Sequence, residues 1–565
     1  MAKLEDEAAQ STSALGPLVG LTREDIFGAV AVMLRETASD PQRLMKHSRT
    51  MGEEMIKIMT GKSDLAPNPK DKRFQDPAWQ YNPFMRAGMQ YYLAVQKGAA
   101  PGLEDLELDE LERDRARFVS NIIIDSLAPT NTLIGNPSAQ KMAITSGGLS
   151  LIKGLKNAYD DMVYNKGMVS QVDKKPFKLG ENVATSKGSV VLRTEMMELI
   201  QYTPTTDEVY EIPQLTIPPQ INKMYINDLS PEKSVVKYQL DNGIQTFVIS
   251  WKNPTKDQGH WDMADYVNSC REAMEAVAAI TKSDKVNVSV GCSGGQTAAM
   301  LASKLAADAK GGKSLLGTLT LMVCVLHPKQ NDIEAGSLVS ENGLALAKHR
   351  AAKKGVIKGD DLARGFAWLR PNDLIWNYVI NNYLLGQDPP AFDVLFWNAD
   401  ATNLSGALMG DFLTVFETLA FTKKGEVEMV DHKIDLSKVT SDLFILGGVT
   451  DHITPWKATY RSTQLFGSKD VTYVLSHSGH MQAILNPPGN PKAKYYIQGD
   501  GEKKLPATAD EWLKGTEEVA GSWWPYWIDW VQTRSGKKKK APAKLGTKQY
   551  APLDPAPGQY VLESC

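Results

Sequence analysis

Cysteine is scarce in this chain of 565 residues, which carries four cysteines, Cys270, Cys292, Cys324 and Cys565. So few thiols in so long a chain cannot build a disulfide framework, and their number suits a reducing compartment. A charge excess is also missing: the formal net charge is −3, and nothing in this balance points to nucleic acid as a partner. We therefore expect a large globular protein whose chemistry lies in a few positions.

Long apolar runs are missing as well. The longest, LLGTLTLMVCVL at 315–326, is too short to span a bilayer, and the first residues, MAKLEDEAAQSTSALG, contain no signal-peptide core. The chain has no Walker loop, no dinucleotide fingerprint and no set of Cys and His at metal-binding spacing. We expect a cytoplasmic protein with no transmembrane segment, no metal site and no cofactor of its own.

Sequence patterning divides the chain into parts. Residues 1–20 are charged and rich in Ser and Ala, which predicts a disordered amino terminus. Residues 21–195 carry helical spacing and predict a helix-rich amino-terminal domain. From 196 to 565, strands alternate with helices, which predicts an α/β domain with a doubly wound, mostly parallel sheet. The stretch from about 327 to 440 breaks that alternation with Trp, Asn, Pro and Phe, and predicts an inserted cap.

One cysteine stands in a context that the others lack. In VNVSVGCSGGQTAAM (286–300), a β-branched strand ends in Cys292, and two glycines and a helix of small residues follow. This is the outline of a nucleophile elbow, where the turn is too crowded for large side chains. The amino terminus of the helix also favours a thiolate. We predict that Cys292 is a nucleophile, whereas Cys270, within a helix, and Cys324, within a strand, only pack.

A cysteine nucleophile needs a base and a group that orients the base. In doubly wound hydrolases, an acid and then a histidine follow the nucleophile, on loops after later strands. Asp451 lies just past the predicted strand DLFILGGV, and His480 lies just past VTYVLSH. We predict that His480 removes the proton and that Asp451 fixes its tautomer. His477 or His452 as the base and Asp431 as the acid remain open alternatives, and His452 could also be a second hydrogen-bond partner.

Acyl transfer also needs hydrogen-bond donors for the oxyanion that forms during attack. The backbone N–H of Ser293, directly after the nucleophile, is the first predicted donor. We place the second donor in the loop that follows the predicted strand Thr246–Ser250, near Trp251. Together these residues predict an acyl-transfer site at the carboxyl ends of the strands.

The motifs resemble those of polyhydroxyalkanoate synthases, and most of all the class II type that prefers medium-chain monomers. The resemblance covers nearly the whole chain, from about residue 73 to the end. It rests on blocks that include DPAWQYNPF (76–84), YINDLSPEKSVVKY (225–238), CSGG (292–295), RPNDLIWNYVINNYLLG (370–386), TDHITPW (450–456), SGHMQAILNPPGNPKA (478–493) and GSWWPYW (521–527).

This resemblance implies an α/β-hydrolase fold and a poly(3-hydroxyalkanoate) polymerase. The enzyme would join (R)-3-hydroxyacyl-CoA monomers and release CoA, with the acyl group carried on Cys292, His480 as the base and Asp451 as its partner. His452 matches the histidine that follows the aspartate in the family. The resemblance further implies a homodimer that works on the growing polyester at the surface of cytoplasmic granules, with no cofactor beyond the CoA of the substrate.

Two positions depart from the family pattern, which usually reads Gly-x-Cys-x-Gly-Gly at the nucleophile. Val290 occupies the place of the first glycine, and His327 stands where an acidic residue is expected. A thioesterase or polyester hydrolase of the same fold is the first alternative, because it would share the triad. A non-catalytic granule-coating protein is the second, although it would not need an elbow. Near the carboxyl end, the run Lys537–Lys540 predicts a solvated tail.

Overall fold

The computed structural model describes residues 41–69, 71–104, 108, 110–309, 314–329, 341–499 and 505–565. The predicted disordered segment 1–20 lies outside these residues. The chain divides into two compact units. The amino-terminal unit comprises the described parts of Met1–Lys174, Glu334–Ala347 and Asp361–Phe392, and the sheet unit comprises those of Lys175–Ile333, Lys348–Asp360 and Asp393–Cys565.

The strands of the described residues are short to medium in length. In chain order they are β1 (Gly188–Arg193), β2 (Met197–Tyr202), β3 (Glu208–Tyr210), β4 (Gln214–Ile217), β5 (Thr246–Trp251), β6 (Val286–Gly291), β7 (Leu316–Met322), β8 (Val356–Ile357), β9 (Leu404–Ser405), β10 (Glu428–Met429), β11 (His432–Lys433), β12 (Asp442–Gly448), β13 (Val471–Ser476), β14 (Lys494–Gln498), β15 (Thr516–Ala520) and β16 (Lys538–Lys540).

The α-helices follow the same order. They are α1 (Pro41–Met59), α2 (Ala78–Tyr81), α3 (Pro83–Glu104), α4 (Glu110–Ser126), α5 (Pro137–Thr145), α6 (Leu149–Tyr164), α7 (Val235–Asp241), α8 (Met263–Thr281), α9 (Gly294–Asp308), α10 (Glu341–Lys354), α11 (Gly359–Leu369), α12 (Asp393–Asn398), α13 (Gly406–Thr418), α14 (Trp456–Ser462), α15 (His480–Ile484), α16 (Ala509–Lys514) and α17 (Trp524–Gln532). Two π-helical segments, Asn372–Trp376 and Val379–Leu384, follow α11.

The sheet unit is built on ten strands in the order β1-β2-β5-β4-β6-β7-β12-β13-β14-β15. The six inner strands, from β5 to β13, run parallel, and the outer strands on both sides pair antiparallel. Every residue of β5 is buried, as expected for a parallel strand covered on both faces. The predicted doubly wound, mostly parallel sheet is confirmed.

The helices of the sheet unit begin at clear sequence signals. Asp262 and Asp265 form a reciprocal capping box at the start of α8, and the Ser234 side chain accepts from the Lys237 N–H at the start of α7. Such caps satisfy backbone donors that would otherwise lack partners at the first turn. The side chains at these two starts therefore fix where α7 and α8 begin.

The amino-terminal unit is helical, as the spacing predicts. Phe74 packs edge-on against Trp79, with ring centroids 5.1 Å apart, within a small apolar core. The segment 361–392 belongs to this unit: the Arg73 guanidinium donates to the side-chain oxygen of Asn372 at 2.9 Å.

The boundaries of the units differ from the predicted positions. The sheet unit begins at Lys175 rather than at 196, because the antiparallel pair β1 and β2 forms one side of the sheet. The predicted cap, about 327–440, is divided, since 361–392 groups with the amino-terminal unit and 393–440 with the sheet unit. Its role as a cap over the active site stays a prediction.

The carboxyl-terminal residues complete the sheet unit. The lysine run is largely exposed, as predicted, but it is not a tail, because β16 pairs antiparallel with β3. Further on, the Leu553 N–H donates to the Val190 carbonyl of β1 at 2.8 Å. The carboxylate of Glu198, on β2, is buried and accepts from the N–H groups of Gln559 and Tyr560 at 2.9 and 3.0 Å.

Among the helices that the structure describes, none combines the length and the apolarity that crossing a membrane requires.

Candidate active site

Cys292 occupies a strained turn between β6 and α9. Its φ is +51°, a left-handed value that side chains other than glycine rarely adopt. The turn is held by the Cys292 N–H, which donates to the Met322 carbonyl at 3.0 Å, and by the Gly295 N–H, which donates to the Cys292 carbonyl at 3.0 Å. Strain of this kind persists only where the surroundings over-determine it, and it clusters at active sites. The thiol is partly exposed.

The glycines after Cys292 are required by close packing. A Cβ on Gly295 would lie 2.5 Å from the Cys324 sulfur, and a Cβ on Gly294 would lie 3.3 Å from the Ile217 carbonyl oxygen. Val290, the departure from the family pattern, is buried inside β6 and pairs with Ile217 and Leu321 of the neighbouring strands. The extra side chain therefore lies in the core of the sheet, within β6 rather than in the turn that follows it.

Asp451 and His480 meet at the same edge of the sheet. Asp451 follows β12 and His480 opens α15 after β13. The His480 Nδ1 lies 2.7 Å from the Asp451 Oδ2. The Thr454 hydroxyl donates to that same oxygen at 2.6 Å and lies 3.1 Å from the His480 Nδ1. Since the carboxyl ends of parallel strands converge, residues far apart in sequence form one cluster here.

Thr454 is a part of this cluster that the sequence analysis missed. The N–H groups of Ile453 and Thr454 each donate to the Asp451 Oδ1 at 2.9 Å. These bonds fold the loop after β12 into a turn around the carboxylate. The signal that could have found it is the spacing Asp-x-x-Thr, which is typical of side chains that bond to nearby backbone groups.

The charges of the cluster reinforce one another. Burial alone would lower the pKa of His480, but the negative charges of Cys292 and Asp451 beside it raise that pKa to about 10. Burial alone would raise the pKa of Asp451, but hydrogen bonds from His480 and Thr454 lower it below its ordinary value. The arrangement thus favours a protonated imidazole between the Asp451 carboxylate and the Cys292 sulfur.

The alternative residues occupy other places. His477 is exposed, with its ring 6.2 Å from that of Tyr496. His452 is exposed directly after Asp451, and Asp431 is exposed in the turn between β10 and β11. His327 is half-buried, and burial together with the charge of Arg461 lowers its pKa. The structure therefore brings Cys292, Asp451 and His480 together, whereas His477, Asp431 and His327 lie elsewhere.

Of the two predicted oxyanion donors, Ser293 lies where we expect it and Trp251 does not. Ser293 follows the nucleophile at the start of α9, as expected. Trp251 lies one strand further away than expected, because β4 separates β5 from β6. Its indole N–H donates to the Pro218 carbonyl at 2.9 Å. The loop that contacts the elbow is the one after β4, where Pro218 and Pro219 approach Gly294.

Gln220 carries the first backbone N–H after these two prolines. Its buried side chain donates to the Thr297 hydroxyl of α9 at 2.9 Å, and its carbonyl accepts from the Thr402 hydroxyl at 2.7 Å. The first bond joins the loop after β4 to α9, and the second joins it to the segment before β9. This loop could not be found from the sequence, because β4, with four residues, is too short to show a clear alternation. The available signal was the short stretch QLTI directly before Pro-Pro.

Within the part of the chain that the structure describes, no group of three or more His, Cys, Asp and Glu side chains is placed to hold a metal ion.

The parallel sheet, the strained elbow and the acid and histidine after two later strands define a protein of the α/β-hydrolase fold. Residues 227–487 match the family model described as "alpha/beta hydrolase fold". Residues 70–239 match a second family model, "Poly-beta-hydroxybutyrate polymerase (PhaC) N-terminus".

Curated relatives agree over the whole length. The chain is 43% identical to "Poly(3-hydroxyalkanoate) polymerase 1" of Ectopseudomonas oleovorans, with 99% of each chain covered. It is 43% identical to polymerase 2 of the same organism, covering 98% of this chain and 97% of that one. It is 35% identical to the polymerase subunit PhaC of Cupriavidus necator, covering 96% and 91%. The chain belongs to the poly(3-hydroxyalkanoate) polymerase family.

Proposed function

We propose that this protein joins (R)-3-hydroxyacyl-CoA monomers into a polyester and releases CoA, with the growing chain carried on Cys292. The observation that carries this proposal is the partly exposed thiol on a strained elbow beside the His480–Asp451 pair. The names of the relatives support the product class. The chemistry of the transfer step is supported by the geometry of the site.

Loading begins with attack of the Cys292 thiolate on the thioester carbonyl. The oxyanion that forms would accept from the N–H groups of Ser293 and Gln220. The bond from carbon to the CoA sulfur then breaks, and protonated His480 gives its proton to the leaving sulfur. Because one thioester is exchanged for another, the step is nearly isoenergetic, and the acyl group is not trapped as it would be in a serine ester.

Elongation reverses the role of the imidazole. His480, now neutral, takes the proton of the 3-hydroxyl of the next monomer, and that oxygen attacks the acyl–Cys292 thioester. An ester forms, the thiolate leaves, and the extended chain remains on CoA until Cys292 takes it back by repeating the loading step. General base catalysis of this kind contributes about 10²–10⁴-fold. Asp451 keeps the tautomer and the orientation of His480 through both steps.

A thioesterase or polyester hydrolase would use the same three residues, with water in place of the 3-hydroxyl. Family membership over the full length favours the polymerase. A non-catalytic coat protein would have no use for a strained nucleophile. We extend the proposal to medium-chain monomers, a homodimer and a location at granule surfaces in the cytoplasm, with no cofactor other than substrate CoA.

The test offers 3-hydroxyacyl-CoAs of different chain length to the purified protein and measures both CoA release and recovered polymer. We expect both products, with a preference for medium chains. Cys292→Ala should abolish CoA release and covalent labelling by substrate, whereas Cys565→Ala, which removes an exposed thiol elsewhere, should leave both unchanged. CoA release without polymer would make the protein a thioesterase, and labelling that persists in Cys292→Ala would remove the assigned nucleophile.

A further inference from the structure

Residues 397–402, from the end of α12 toward β9, run alongside the loop that follows β4. We name this segment the clasp. Ala401 of the clasp pairs with Asn222 in an isolated antiparallel β-bridge, and the Thr402 N–H donates to the Ile221 carbonyl at 3.4 Å. The clasp therefore faces the loop that approaches the elbow, although it belongs to a distant part of the chain.

Two buried donors of the clasp bind carbonyls at the two ends of this contact. The Thr402 hydroxyl donates to the Gln220 carbonyl, and the Trp397 indole N–H donates to the Lys223 carbonyl, both at 2.7 Å. Thr402 is 4% exposed and Trp397 is 3% exposed. Because a buried carbonyl that loses its donor is costly, these two bonds fix the path of the loop between residues 220 and 223.

A buried ion pair holds the clasp against the loop. The Lys223 side chain is buried, and its ammonium group lies 2.8 Å from the Asp400 Oδ1. The Tyr225 hydroxyl donates to the Asp400 Oδ2 at 2.9 Å. Burial raises the pKa of Tyr225, and the charge of Asp400 raises it further, so this hydroxyl keeps the proton that it donates. Because separating the ion pair would leave a buried charge without compensation, the clasp and the loop stay together.

The clasp is itself anchored at the residue that follows it. The Asn403 N–H donates to the Asn253 side-chain oxygen at 2.8 Å, and the Asn403 side-chain amide donates to the Pro254 carbonyl at 3.0 Å. The Asn403 side-chain oxygen accepts from the Gly359 N–H at 3.1 Å. These bonds tie the clasp to the loop after β5, so it gives the loop after β4 a fixed support.

The contacts converge on Gln220. Its side chain is held by Thr297 of α9 at 2.9 Å, and its carbonyl is held by Thr402. With these two groups held, the geometry of the Cα sets the position of the third group, the backbone nitrogen. Pro219, packed near Gly294, then sets the plane of the peptide that carries the N–H. This N–H is the second donor of the proposed oxyanion site.

We propose that Thr402 is a positioning residue for acyl transfer, because its hydroxyl keeps the Gln220 N–H aimed at the oxyanion. The Lys223–Asp400 pair holds the clasp in place while it does so. This inference rests on the proposed function, which supplies the thioester whose carbonyl becomes the oxyanion. Since the oxyanion exists only after attack, loss of the support weakens the transition state and leaves substrate binding almost unchanged.

The experiment uses the full chain and measures kcat and KM for CoA release from 3-hydroxydecanoyl-CoA. Thr402→Val keeps the shape of the side chain and removes its hydroxyl; we expect kcat to fall about tenfold and KM to stay within about twofold. Thr402→Ser keeps the hydroxyl and should stay within about twofold in both. The matched control is Thr281→Val in α8, which removes an equally buried hydroxyl that donates to the Val277 carbonyl at 2.7 Å and should leave kcat unchanged.

A second measurement separates the oxyanion donor from the nucleophile. Iodoacetamide alkylates Cys292 by displacement: the sulfur bonds to the methylene carbon, iodide leaves, and no oxyanion forms. The rate is followed by mass spectrometry of the peptide that contains Cys292, and we expect it to be the same in Thr402→Val as in the original protein. An alkylation rate that falls as far as kcat would place the damage at the thiol and overturn the proposal.

A double-mutant cycle shows whether Thr402 acts through Gln220. If it does, Gln220→Leu combined with Thr402→Val should lower kcat about tenfold, as far as either change alone. A fall of about a hundredfold would make the two effects independent and overturn the proposal, as would an unchanged kcat in Thr402→Val or an equal loss in Thr281→Val. CoA release needs no polymer, so a protein that proves to be a thioesterase would contradict the proposed function and still allow this test.

Discussion

Two neighbouring strands of the sheet each end at a residue with a left-handed φ, yet the cysteines at the two turns differ in exposure and in their hydrogen-bond partners. After β6 the left-handed residue is Cys292, with a φ of +51°; after β7 it is Val323, with a φ of +49°, and Cys324 follows one residue later. Cys292 is partly exposed beside His480. Cys324 is fully buried, donates to the Met322 carbonyl, and has a pKa that burial raises well above its ordinary value.

The comparison shows that a strained turn does not by itself make a cysteine reactive. At the first turn, the thiol belongs to the left-handed residue and projects where later strands deliver a histidine. At the second turn, the thiol comes one residue later and fills the space that Gly295 leaves open. A shift of one residue relative to the strand end thus separates a nucleophile from a packing residue.

Removing the imidazole of His480 should cause the largest loss of CoA release, because this ring sets the Cys292 thiol apart from the Cys324 thiol. His480→Gln takes away the charge that faces Cys292, and we expect CoA release to fall by about 10³-fold. The matched control is His477→Gln, on the same loop but exposed, and it should stay within about twofold of the original rate. An inactive His477→Gln beside an active His480→Gln would move the base to the other histidine.

Neutralising Asp451 should have a smaller effect. Asp451→Asn keeps the shape of the cluster and loses the charge that orients His480, so CoA release should fall by about 10²-fold while slow acylation of the thiol continues. The pKa of His480 should fall from about 10 toward its ordinary value. Titration of the imidazole by NMR measures the shift, and an unchanged pKa would remove Asp451 as the partner.

The same substitution should change how stability depends on pH. The folded-state pKa of His480 lies above its unfolded value, so its stabilisation is complete below about pH 6.5 and is lost as the pH rises toward about 10. The folded-state pKa of Asp451 is lowered, so its stabilisation is present above about pH 4 and is lost as the pH falls further. The difference in free energy of unfolding between original and variant should reach about 2 kcal/mol between these limits.

The loop after β4 should matter less than the charged residues. Gln220→Leu removes the bond to Thr297, lets the loop move from the elbow and should lower kcat by roughly tenfold, with KM almost unchanged, since a displaced donor weakens only the transition state. Gln214→Leu is the control: that glutamine is equally buried at the opposite end of β4. Similar losses in both variants would assign a structural role to Gln220.

The smallest effect belongs to the second thiol. Cys324→Ala should leave CoA release within about twofold and cost about 1 kcal/mol of stability through the small cavity left behind. Chemical denaturation and initial rates measure the two quantities. A loss of activity comparable to that of Cys292→Ala would contradict the packing role of Cys324 and make both thiols part of one mechanism.

The positions of the three clustered residues could be predicted, because each can be found from the residues directly before it in the sequence. Each of Cys292, Asp451 and His480 follows a strand run with a readable pattern, and parallel strands bring such positions to one edge. Gln220 could not be placed in this way, because four residues of β4 carry too little alternation. The lysines of β16 read as a solvated run, and only pairing with β3, far away in sequence, makes them a strand.

Helix α6 shows a second feature that the sequence pattern does not predict, namely which face of an amphipathic helix is buried. Periodicity marks α6 as amphipathic but does not say which face turns inward. Asn157 and Asp161 point inward because the segment 361–392 offers carbonyl and hydroxyl partners, and that pairing spans more than 200 positions. Tertiary partners of this kind decide orientation and leave no mark in the local pattern.

The buried carboxylate of Glu198 has a consequence for how the chain is made. Its backbone donors, Gln559 and Tyr560, leave the ribosome some 360 residues after it does. Until then, Glu198 lacks these two partners and β1 lacks the residues around Leu553 that cover it. A nascent chain can assemble the inner strands earlier, but β1 stays open to pairing with other chains until the residues around Leu553 have been made. The side of the sheet that is made first is therefore the last to be covered.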